Sequence, residues 1–123
     1  MTAPGTPFRL VAVAALGAAL VLPSAGARPP ARLQVVADEF NLRLSRLSIV
    51  AGPAIVQLAN FGEDAHDLRF RRRGGTRTYA IAAIEPGETR DLSARLRAGR
   101  FTLWCSLGDH RERGMLASLV VKR

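Results

Sequence analysis

Residues 101–121 read FTLWCSLGDHRERGMLASLVV. An apolar stretch ends in Cys105, a polar loop carries His110, and Met115 opens a second apolar stretch. A thiolate, an imidazole and a thioether on one loop suit copper, which accepts soft sulfur and nitrogen together. A trigonal plane of two histidines and a cysteine with a weak axial methionine needs a second imidazole. His66 is the only other histidine of the chain, and Cys105 is its only cysteine. Each of the four has a plainer reading by itself. A lone cysteine is usually a small buried hydrophobe, a lone methionine fills a core, and a lone histidine is solvated. Beyond Met1, however, no sulfur or imidazole of the chain falls outside this set.

Working outward from the loop, the chain reads as short strands separated by turns, with no helix of useful length. Phe40, Leu42 and Leu44 alternate with Asn41, Arg43 and Ser45, the period of a half-buried strand. Leu68 and Phe70 alternate with Arg69 and Arg71, and Leu92, Ala94 and Leu96 alternate with polar residues. Short apolar runs cover Leu33 to Ala37, Leu47 to Val50, Ala54 to Ala59 and Tyr79 to Ile84. Ala51-Gly52-Pro53, Asn60-Phe61-Gly62 and Glu85-Pro86-Gly87-Glu88 are turn signals. The pattern predicts an all-β antiparallel sandwich or barrel. His66 falls at a strand-to-strand junction, where a loop-borne ligand can face the Cys105 loop.

These motifs together resemble the cupredoxins, the small blue copper proteins that include plastocyanin and azurin. Asn60 to Leu68 matches an N-x-G-x-x-x-H-D-L segment, Pro86 to Glu88 a P-G-E turn, and Cys105 to Val121 a C-x4-H-x4-M loop followed by an apolar strand. The resemblance covers the chain from about Leu33 onward. It implies a Greek-key β-sandwich of about seven to eight strands, with one type 1 copper held at one end by His66, Cys105, His110 and Met115. It also makes His110 the ligand nearest the surface and the electron port. Asn60, Asp67 and Ser106 are candidates to support the ligands from behind by hydrogen bonds. The loop departs from the family at Gly108 and Asp109, where relatives often carry proline and glycine. Ala117 stands where a glycine is common. Asp109, Arg111, Glu112 and Arg113 replace the apolar patch that surrounds the exposed histidine in plastocyanin. None of these removes a ligand.

The N-terminus reads differently from the rest. Arg9 is the only charge before an apolar run from Leu10 to Leu22, followed by Pro23, Ser24 and Ala25-Gly26-Ala27. A positive start, a short apolar run and a small-x-small end make residues 1–27 a signal peptide, leaving 28–123 as one copper-binding domain. The run is shorter than the roughly 20 residues of a comfortable span; uncleaved, it would act as an anchor. Export to the periplasm or the exterior follows, and a single cysteine there forms no intrachain disulfide.

The net charge is +8, and Lys122 is the only lysine among 18 basic residues. Such a surface suits an acidic redox partner or an anionic membrane surface, or is simply solvated. Nucleic acid is a poor candidate, because export removes the opportunity and the aromatics do not interleave with the arginines. The expected function is single-electron transfer between redox proteins outside the cytoplasm, by a monomeric carrier and not an enzyme. A copper-delivery protein with the same ligands and an interaction domain without redox function are the alternatives. Zinc gains little from the Met115 thioether, and a Cys105–histidine catalytic pair leaves Met115 unexplained.

Overall fold

A computed structural model describes residues 1–21 and 28–123. Residues 1–21 carry no regular secondary structure, and the proposed cleavage site after Ala27 lies outside the described residues. Among the described residues no helix is long and apolar enough to cross a membrane. Nine strands follow: β1 (Ala31–Asp38), β2 (Asn41–Leu44), β3 (Ser48–Val50), β4 (Gly52–Asn60), β5 (His66–Arg72), β6 (Thr78–Ile84), β7 (Thr89–Leu96), β8 (Gly99–Trp104) and β9 (Leu116–Lys122).

The strands form two sheets, ordered β2-β1-β4-β7 and β3-β9-β8-β5-β6. The chain passes between them after β2, β3, β4, β6 and β7, which is Greek-key wiring of a sandwich. The alternation visible in the sequence is what buries one face of each strand. Phe70, Phe101, Leu33, Leu58, Leu68, Ile84, Leu96, Leu103 and Leu119 are fully buried between the sheets. Phe70 sits at the centre of an aromatic group, with Phe101 6.3 Å and Tyr79 4.9 Å from its ring.

The sheets are not purely antiparallel. β1 pairs in parallel with β4, and β3 with β9, so each sheet is mixed. Alternation reports which face is buried, not which way the neighbouring strand runs.

Three local devices set up one end of the sandwich. Glu85–Glu88 closes as a turn, with the Glu88 amide donating to the Glu85 carbonyl at 3.1 Å. That turn is clamped to the end of β4, since Gly87 donates to the Asn60 carbonyl at 2.8 Å and Asn60 to the Glu88 carbonyl at 3.0 Å. A bulge between His66 and Leu68 shifts the β5–β6 register. Because a bulge re-aims side chains locally, His66, Asp67 and Leu68 are all buried although they are consecutive.

Candidate metal centre

His66 opens β5, Cys105 follows β8 directly, and His110 lies in the loop between β8 and β9. The ligand atoms of these three residues all lie within 4.8 Å of one another. The Cys105 sulfur is 3.6 Å from His110 Nδ1, and the two imidazole rings are 5.1 Å apart between centroids. Met115 is completely buried and begins the return into β9. Its amide donates to the His110 carbonyl at 3.1 Å and its carbonyl accepts from the Cys105 amide at 3.2 Å. The backbone of Met115 is therefore bonded to both of the other loop residues in the set.

The loop from Ser106 to Met115 is held by its own backbone. His110 donates to the Leu107 carbonyl at 3.0 Å, Arg113 to Asp109 at 3.0 Å and Gly114 to Arg111 at 3.1 Å. Gly114 has φ +128°, and a Cβ there would stand 2.7 Å from the Phe40 carbonyl oxygen. Only glycine lets the loop close against Phe40. The Phe40 ring in turn packs 5.1 Å from the His110 ring, and the Arg113 guanidinium lies over the Phe40 ring, 3.8 Å from its centroid.

His66 is held from behind by Glu39, a residue with no signal in any sequence motif. His66 Nε2 lies 3.0 Å from Glu39 Oε1. The same oxygen accepts from the amides of Glu63 at 2.9 Å and Asp64 at 2.7 Å. A Cβ on Gly62 would collide with this carboxylate, so the approach requires glycine. These donors, led by the Asp64 and Glu63 amides, lower the Glu39 pKa from 4.5 to about 2. An ionised carboxylate at Nε2 holds a hydrogen there, so Nδ1 is the ring nitrogen of His66 left to act as a ligand.

Asn60, Asp67 and Ser106 make hydrogen bonds in the segments next to His66 and Cys105. Buried Asn60 donates from Nδ2 to the carbonyls of Asp64 at 2.8 Å and Ile84 at 3.0 Å, and its Oδ1 accepts from the Gly62 amide at 2.9 Å. It thereby shapes the β4–β5 loop that delivers His66. Asp67 accepts from the Ser106 amide at 2.7 Å and from the Ser106 hydroxyl. That pair ties β5 to the residue after Cys105.

Burial raises the Cys105 thiol pKa. Backbone N–H groups of Leu107 and Asp67 pull the other way and the Asp67 charge adds to the rise, but burial prevails. The three groups differ in access. The His66 side chain is 0% exposed and that of His110 15%, so His110 is the open edge of the cluster.

The donor set can be tested against a metal without reference to any relative. His66 Nδ1 is the one buried side-chain nitrogen or oxygen among the described residues with no hydrogen-bond partner. An unpaired buried polar atom is costly. This one belongs to the same set of atoms as a thiol and a second imidazole. Two imidazole nitrogens, a displaceable thiol proton and a thioether fit a soft transition-metal ion.

No protein-family model matches the sequence, and no curated protein matches it either. Solved structures do resemble the fold. Auracyanin B superposes with a TM-score of 0.64 at 16% identity, covering 80% of this chain and 94% of its own. Auracyanin A, a "blue" copper protein from Chloroflexus aurantiacus, gives 0.62 at 13% identity, with 76% and 100% covered. A purple cupredoxin from Nitrosopumilus maritimus gives 0.52 at 15%, with 72% and 98% covered. At these identities the likeness is one of architecture: this chain has the cupredoxin fold.

Proposed function

We propose that the chain is a type 1 copper protein that passes single electrons, with His66, Cys105, His110 and Met115 as the ligands. The observation that carries this reading is the partnerless His66 Nδ1, buried beside the Cys105 sulfur and His110. Bound copper would supply a one-electron couple that no side chain here offers. The residues do the rest. Cys105 would hold the metal as a thiolate, and the Leu107 and Asp67 amides favour that form by bonding to the sulfur. Glu39 holds the Nε2 proton of His66 so that Nδ1 stays a ligand. The Asp67–Ser106 contacts lock β5 to the cysteine loop, so the donors keep their places when the charge changes. Met115 contributes a weak thioether that tunes the potential.

His110 is the electron port, because it alone of the two imidazoles reaches the surface. A redox protein partner docks over it. The resemblance of the fold to auracyanins, together with the Arg9–Leu22 segment, supports a carrier working outside the cytoplasm.

Loading the purified protein with Cu(II) tests the reading. An intense visible sulfur-to-copper band is expected, and Cys105→Ser should abolish it. A colourless complex that exchanges copper readily would favour delivery of the ion over electron transfer.

A further inference from the structure

Strand register sorts the charged side chains by height along the sandwich. Ala37 pairs with Asn60 and His66 with Ile84 at the metal-cluster end. Ala31 pairs with Ala54, Gly52 with Leu96 and Arg72 with Phe101 towards the other. The middle of the first sheet is marked by a row of side chains, Gln34–Gln57–Asp91, joined by hydrogen bonds of 2.9 Å. Every acidic side chain lies on that row or on its metal side: at the end of β1 and just after it, in the β4–β5 loop and the start of β5, in the β6–β7 turn, and in the 105–115 loop.

The opposite end carries Arg72, Arg73, Arg77, Arg95, Arg97 and Arg100 and no acidic side chain. Four of them line a groove of about 630 Å³ with Tyr79 and Phe101. Among the described residues, none of the six is in an ion pair. Their charge is therefore not neutralised within the fold. The excess basic charge of the chain is concentrated away from His110, not around it.

We propose that this arginine end seats the domain on an anionic phospholipid surface, with the metal end facing away. Two further observations choose a membrane over an acidic protein. β1 begins here at Ala31, so in the uncleaved chain the segment carrying the exposed apolar side chains Leu10, Val11, Leu16 and Leu20 enters the domain from the arginine end. Apolar insertion and a basic patch on one side are the two signals that together hold a protein at a bilayer. Exposed apolar side chains stand at both ends of the domain. Leu47 and Val50, 77% and 48% exposed, lie beside the arginines, where they can enter a bilayer. Phe61 and Leu116, 67% and 50% exposed, offer the apolar anchors of a protein interface at the metal end. The orientation leaves His110 free for a partner in the aqueous phase. It rests on the fold and the placement of charge, and stands whether or not copper binds.

The test compares two charge-matched variants of the full chain on vesicles. Arg73→Gln/Arg97→Gln removes two charges from the arginine end, and Arg43→Gln/Arg90→Gln removes two from the metal half. On phosphatidylcholine–phosphatidylglycerol vesicles the first should bind about 30-fold more weakly, since each arginine near an anionic surface is worth about fivefold. The second should lose less than about threefold. Equal losses would mean that only net charge matters and would overturn the orientation. Unchanged vesicle binding by the first variant, with weakened retention on immobilised polyglutamate, would assign the surface to an acidic protein and overturn the membrane reading. Trp104, the only tryptophan, lies beside Cys105; its fluorescence should escape quenchers embedded in the bilayer, and quenching would also contradict the proposal. Each readout is taken without metal, so failure here is distinct from failure to bind copper.

Discussion

The two walls of the metal cluster are built by opposite means. Cys105, His110 and Met115 come from one loop that is bonded chiefly to itself, through contacts such as Met115 to the His110 carbonyl. His66 comes from a junction held by residues remote in the chain: Asn60 bridges to Ile84, and Glu39 reaches across to Glu63, Asp64 and His66. The loop wall is local and carries the open histidine. The His66 wall is long-range and closed to solvent. A rigid site can thus combine a histidine that is shielded and electrostatically braced with one that is open to solvent.

Asn60→Ala should strike the His66 wall hardest. It removes donors to two carbonyls and the acceptor for Gly62, at a cost of about 3 kcal/mol in unfolding experiments. Loss of that size with the loop's amide protection intact would sharpen the contrast. A uniform loss of protection in both walls would break it.

On the loop side, Gly114→Ala should cost about 2 kcal/mol, because the backbone is left-handed and the new methyl meets the Phe40 carbonyl. The damage should appear in His110, whose ring packs on Phe40, while the His66 resonances stay in place. Equal shifts in both histidines would show that the walls are not independent.

Glu39→Gln should be the mildest in stability and the most informative in chemistry. Its carboxylate titrates near 2 in place of 4.5, so its bonds contribute fully above 4.5 and are lost as pH falls towards 2. Protection of the Glu63 and Asp64 amides should therefore fade over that window, with Gly114 unaffected, and the glutamine variant should lose this acid dependence. In the copper-loaded protein, removing the negative charge behind His66 should raise the potential by tens of millivolts, where about 59 mV is tenfold for one electron. An unchanged potential would reduce Glu39 to a purely structural brace.

The same contrast explains what could be read from the sequence. The loop wall was legible because its three donors share a spacing that has a chemical meaning. His66 followed because no other imidazole remained, and Asn60 and Asp67 flank it within one motif. Glu39 was not legible: it lies 27 residues from His66, and a glutamate between two short strands looks like a solvated turn residue. The strands announced their buried faces through Leu68, Phe70, Leu92 and Leu96, but the parallel pairings of β1 with β4 and β3 with β9 left no local mark. Nor did the separation of charge, which exists only once register aligns Arg72 with Phe101 and Ala37 with Asn60. Net charge alone suggested an acidic partner or an anionic membrane surface; register gathers six arginines without ion pairs at the end opposite the open histidine.

X-ray absorption at the copper edge of the loaded protein addresses the ligand assignment itself. The account predicts a first shell of one short sulfur and two imidazole nitrogens, with the sulfur lost in Cys105→Ser and one nitrogen in His66→Ala. A shell of nitrogen and oxygen alone, unaltered by either substitution, would contradict it.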